Sequence, residues 1–257
     1  MNVRPATLAA LFFSLAVLAA RADTVPQCIA RARAYLGTES ALTAVTSIAY
    51  TGTLEGVERV PSPEDKTKLI ERPAKVSTKI IFQKPYRQRI MLTRPNTIEI
   101  TALDGYDGWS KTINAANPAD WRVRLLDARQ IKTLRANTWE NLYFYGGIEK
   151  KGGTVEMGPE SVEDGVACVR LNFVHDANNT FARFFDKATG RLVKTLTENG
   201  TEIHEDGEIV VNGVRFPKKI FQKAPNGQVT TINFDQVEVN QNAPDSDFVV
   251  PSLVPVN

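Results

Sequence analysis

The chain has 257 residues, 42% of them hydrophobic, and a formal net charge of +2. A chain of this length buries a sizeable core without disulfide or metal staples. The near-neutral balance lacks the basic excess from which nucleic-acid binders gain affinity, so no nucleic-acid partner is expected.

Met1 to Thr7 is short and carries one positive charge, Arg4. Leu8 to Ala20 carries none, and Ala20-Arg21-Ala22 places small residues at the two positions a signal peptidase reads. The apolar run has 13 residues, whereas a bilayer span takes about 20. Residues 1–22 therefore read as a cleavable signal peptide, and 23–257 as a single exported domain. Removing them leaves 257 − 22 = 235 residues and takes away Arg4 and Arg21, so 29 basic residues face 29 acidic ones. Val25-Pro26-Gln27 before Cys28 is a poor lipidation context. In an oxidising compartment Cys28 and Cys168 are free to pair. A bridge would close a loop of about 140 residues and add about 4–5 kcal/mol in the chain-entropy account. Two buried thiols are the alternative, and their spacing makes no metal site.

In chain order, Pro26 opens a first helix with Ile29, Ala32 and Leu36 on one face and Gly37 at its end. Thr38 to Val45 reads as a second, short helix. From Ser47 the period becomes two. Ile80 and Phe82, Ile90 and Leu92, Ile98 and Ile100, and Leu171 and Phe173 each form one apolar strand face. Asp164-Gly165, Asn199-Gly200, Asp206-Gly207, Asn212-Gly213 and Asn226-Gly227 are hairpin pairs. Roughly ten or eleven antiparallel strands fit that spacing. The charged stretch Pro61 to Pro73 reads as an exposed loop. Asp127 and Gln130 form a capping box for a mid-chain helix. Its stripe runs through Ile131, Leu134, Thr138, Leu142 and Tyr145, and Gly146-Gly147 ends it. The tail after Asn240, with Pro244, Pro251 and Pro255, is no central strand. The fold class is α+β, mainly antiparallel, with helices on one sheet.

Motifs for chemistry are absent. There is no glycine-rich phosphate loop, dinucleotide fingerprint or nucleophile elbow, so no cofactor is implied and the chain reads as a non-enzyme. His175-Asp176 reads as a surface turn. Asp164, Asp186, Glu205 and Asp206 lie beside turns, where carboxylates are ordinary. Arg89 shares strand parity with Met91. It either enters the cavity as a polar orienting group or faces solvent while Ile90 and Leu92 line the core.

Several short features occur in order: Lys84-Pro85, Arg89 and Pro95; Asp104-Gly105-Tyr106-Asp107-Gly108-Trp109; Asp186 to Leu192; Gly213 to Pro217; and Phe248-Val249-Val250-Pro251. In these the chain resembles the outer-membrane lipoprotein-sorting family, whose best-known members are the LolA-like periplasmic lipoprotein carriers. The resemblance implies a half-open β-barrel with covering helices, in a soluble periplasmic protein. It implies an apolar cavity for lipid or lipoprotein acyl chains, and transient contact with membrane-bound donor or acceptor proteins. Its expected walls are Ile80, Phe82, Ile90, Leu92, Ile98, Ile100, Trp109, Leu171 and Phe173, with Ile131, Leu134 and Leu142 above them on the cover helix. The chain departs from the family in being longer than the compact carriers, and in Arg89, where many carriers have an aromatic. An interaction or sensor domain on the same scaffold, its interior filled by its own side chains, is the other reading.

Overall fold

The computed structural model describes residues 23–252. The signal peptide read over 1–22 lies outside the described residues, as do residues 253–257.

Helix α1 (Val25–Leu36) starts at a capping box formed by Thr24 and Gln27, with proline in its first turn. Helix α2 (Glu39–Ala44) starts where the Thr38 hydroxyl accepts the Ala41 N–H at 3.2 Å. Six strands follow: β1 (Ser47–Pro61), β2 (Leu69–Gln83), β3 (Arg87–Thr93), β4 (Thr97–Asp104), β5 (Asp107–Asn114) and β6 (Asn117–Leu125). Helix α3 (Ala128–Leu142) interrupts the sheet. The remaining strands are β7 (Thr154–Met157), β8 (Ser161–Glu163), β9 (Val166–Asp176), β10 (Asn179–Asp186), β11 (Leu192–Thr197), β12 (Glu202–Val211), β13 (Val214–Lys223) and β14 (Val229–Val239).

These form a single antiparallel sheet of 14 strands in the order β6-β5-β4-β3-β2-β1-β14-β13-β12-β11-β10-β9-β7, with β8 also on β9. The terminal strands do not pair, so the barrel stays open. The strand number exceeds the ten or eleven expected because β7 and β8 are too short, at 4 and 3 residues, to display an alternation. The stretch read as a loop is also partly strand: Leu69–Pro73 pairs with Val57–Pro61, which leaves only 62–68 as the turn. At Gly52 the register against β14 shifts by one residue. A Cβ there would stand 2.0 Å from the Asn233 carbonyl oxygen, so only glycine allows this bulge, and bulges bend a sheet.

The sheet has two covered faces. On the inner face, Ile48, Tyr50, Phe82, Phe216, Ile232 and Phe234 form a core with Leu42 of α2 and Leu142 of α3. A second inner core packs Val169, Leu171, Phe173 and Phe185 against Cys28 and Ala32 of α1 and against Ile148. The turn at Asp186–Gly190 fixes α1 to this region. Gly190 sits at φ 79°, and a Cβ there would meet the Arg31 carbonyl oxygen at 2.5 Å. The described part of the tail crosses the outer face and adds no strand. Phe248 is fully buried there with Ala49 and Ile81, and Trp109 Nε1 donates to its carbonyl at 2.8 Å.

Candidate functional site

Helix α3 lies on the inner face and buries Ala136, Thr138, Trp139, Glu140 and Leu142. It ends at Leu142, three residues before Tyr145. Beyond it, Phe144 and Tyr145 adopt φ of 48° and 68°. Consecutive bulky residues in left-handed conformations store strain of about 1–3 kcal/mol each, and such strain gathers at functional sites. Arg33 of α1 secures the turn: its Nη1 donates to the carbonyls of Tyr143 at 2.9 Å and Phe144 at 2.7 Å.

Beneath this turn lies a cavity of about 200 Å³, walled on one side by Tyr50, Ile80, Phe82, Phe144, Phe216 and Ile232. Its other end is polar. Glu140 of α3 places Oε1 2.6 Å from His175 Nε2 and Oε2 2.6 Å from Arg183 Nη1. The second contact is close but poorly aligned, so neither atom counts as hydrogen-bonded in it. The Arg183 guanidinium also rests over the Tyr145 and Phe173 rings, at 4.7 and 5.2 Å. Glu205 of β12 completes this end. It is half-buried by accessible area because it borders open space, but protein surrounds its carboxyl. That burial raises its pKa, and the Arg183 charge only partly offsets the rise. Burial likewise pushes the Tyr50 and Tyr145 hydroxyls above their ordinary range.

A second cavity of about 260 Å³ adjoins the first across Tyr145, Glu205 and Phe216 and reaches Tyr35, Arg191 and Glu208. It lies beside Tyr35 and Leu36, at the C-terminal end of α1.

No family model matches the chain, and no curated protein does. Solved structures do. A LolA superfamily protein from Nitrosomonas europaea superposes with a TM-score of 0.57 at 11% identity, over 89% of this chain and 99% of that one. The chain has the LolA-like fold. A domain assigned to outer membrane lipoprotein sorting in Vibrio parahaemolyticus gives 0.53 at 12% identity, over 86% of this chain and 95% of that one. A DUF1329 family protein from Desulfovibrio piger gives 0.51 at 14% identity, over 89% and 98%.

Within this LolA-like sheet the expected wall residues separate into three groups. Ile80 and Phe82 line the cavity. Ile90 and Leu92 share their face, since Ile80 pairs with Ile90 and Thr78 with Leu92, but they stand outside the cavity lining. Leu171 and Phe173 also face inward, where α1 and Ile148 fill the space above them. Ile98, Ile100 and Trp109 form a cluster with Met91 on the outer face. Arg89 pairs with Ile81 and Ala102 and faces outward too, so it is no cavity group. The physical reason is parity: across the β3–β4 hairpin Ile90 pairs with Thr101 and Leu92 with Glu99, so Ile98 and Ile100 fall on the opposite, outer face.

The cover helix keeps Leu142 fully buried. Ile131 and Leu134 are half-buried, the first against Gly108, the second beside a peripheral cavity near Thr101. Cys28 and Cys168 are buried free thiols. Cys28 packs on the inner face under α1, and Cys168 on the outer face with Ala182 and Phe184, so the sheet separates them and no disulfide forms. Sequence reading missed the polar end. His175 is no surface turn residue, with 14% of its side chain exposed, and Glu205 is no ordinary turn carboxylate. Arg183 carried a signal: it shares parity with Phe181 and Phe185, which are apolar.

Proposed function

We propose that this protein is a soluble periplasmic binding or carrier protein for the acyl chains of lipid or lipoprotein, without enzymatic activity. The observation that supports this reading is the cavity between α3 and the inner face, apolar along one side, with a second cavity adjoining it at the end of α1. Water fills an aromatic- and isoleucine-lined space poorly. Each methylene buried there contributes about 0.8 kcal/mol, which a long chain accumulates against the cost of association. The periplasmic setting rests on the tripartite pattern of residues 1–22, and a carrier in that setting would meet membrane-bound donor or acceptor proteins transiently.

The second reading is an interaction or sensor domain on the same scaffold. It draws support from the inner face around Leu171 and Phe173, which α1 fills with Cys28 and Ala32.

Mass spectrometry of organic extracts from the purified exported protein distinguishes the two. The carrier reading expects co-purifying acyl lipid in stoichiometric amount. Protein free of lipid that also binds no added acyl chain supports the sensor reading instead.

A further inference from the structure

We propose that the polar end of the cavity, formed by Arg183, Glu205 and Tyr145, holds the carboxylate head of a single-chain fatty acid whose hydrocarbon lies along Tyr50, Phe216 and Ile220. This rests on the reading of the cavity as an acyl-chain site and adds the identity of the head group.

Arg183 is 8% exposed and borders the cavity. Among the described residues, its Nε has no hydrogen-bond partner, and its Nη1 meets only Glu140 Oε2, off-line at 2.6 Å. A buried guanidinium with an unsatisfied donor is costly unless something accepts from it. A carboxylate accepts from a guanidinium in a charge-assisted hydrogen bond. Glu140 does not serve fully in that role, because its Oε1 is taken by His175 and its Oε2 meets Arg183 off-line.

Arg183 decides the sign of the ligand. Glu205 and Tyr145 line the same space. Among the described residues the Glu205 carboxyl makes no hydrogen bond or ion pair, and burial raises its pKa; in its protonated form it donates through its O–H. A cationic head would meet Arg183 instead. The adjoining cavity carries both signs, Arg191 and Arg215 beside Glu205, Asp206 and Glu208, and Arg215 is paired with Glu208, so the preference for an anion rests on Arg183. The volume of about 200 Å³ suits one slender chain better than a branched lipid.

The test is displacement of a fluorescent acyl probe that has no free carboxylate, using palmitate, the alcohol of the same length and the amine of the same length as competitors. Palmitate should displace the probe at about tenfold lower concentration than the alcohol, a difference of the size one charge-assisted contact gives, and the amine should be weakest. Arg183→Met should keep probe binding and lose the preference for palmitate. Glu205→Gln, which keeps a neutral donor, should retain it. Equal displacement by acid and alcohol in the unmodified protein overturns the head-group assignment while leaving the acyl-chain reading intact. That comparison decides the matter even if Arg183→Met does not fold. Absence of probe binding in the unmodified protein overturns both.

Discussion

Arg183 on β10 and Glu140 on α3 meet across the cavity, with Nη1 2.6 Å from Oε2 and 10% and 3% of their side chains exposed. The pair ties the cover helix to the sheet at the point where the interior turns from apolar to polar. Removing one member leaves the other charge buried and uncompensated. Glu140→Gln should therefore lose about 3–5 kcal/mol in denaturant unfolding. The double variant Glu140→Leu, Arg183→Met should recover much of that loss, because two apolar groups leave no stranded charge.

Glu205 makes stability depend on pH in a direction opposite to that of a salt-bridged carboxylate. Its pKa in the folded chain is raised above the ordinary 4.5 by burial. The folded state then binds more protons than the unfolded state in the window above 4.5, so stability falls as pH rises through it. Arg183 is the charged group that acts on it, and Glu140, Arg215, Tyr50 and Tyr145 line the same cavity. Glu205→Gln carries no such loss. Urea denaturation should show the variant more stable than the parent at neutral pH, with the gain vanishing in acid below 4.5.

Leu142 and Leu134 separate core from cover. Leu142 is fully buried in the inner core, and Leu142→Ala should cost about 2–5 kcal/mol. Leu134 is half-buried beside a cavity, so Leu134→Ala should cost less than Leu142→Ala in the same assay.

The cysteines give a chemical check on the sheet. Alkylation of protein unfolded without reductant should add two labels per chain, one each at Cys28 and Cys168, and folded protein should resist labelling because both thiols are buried. Recovery of unlabelled protein after unfolding would mean that a bridge had formed.

Much of the framework was legible before the fold. Pro26, Asp127 with Gln130, and four of the Asn-Gly and Asp-Gly pairs are local signals that mark real boundaries; the fifth, Asp206-Gly207, is no hairpin but lies inside β12, where Gly207 at φ 64° is left unpaired against β13. Which face a strand presents is a nonlocal property, set by the register across the preceding hairpin. Ile98 and Ile100 alternate as cleanly as Ile80 and Phe82, yet they lie on the outer face. Glu140, His175, Arg183 and Glu205 come from four elements that only tertiary packing brings together. A charge at an inward position beside Phe181 and Phe185 was the one trace of that cluster in the sequence. Helix α3 stops early because Phe144 and Tyr145 turn into left-handed conformations, which no residue type there announces.

The central claim is that the inner-face cavity binds an acyl chain. The direct measurement is fluorescence titration of the folded protein with a fatty-acyl probe, alongside Ile220→Trp, which would fill the cavity from a half-buried wall position. Saturable binding by the unmodified protein, lost in a variant with an unchanged melting temperature, is the predicted result. No binding by the unmodified protein, or undiminished binding by a folded Ile220→Trp, would contradict the account.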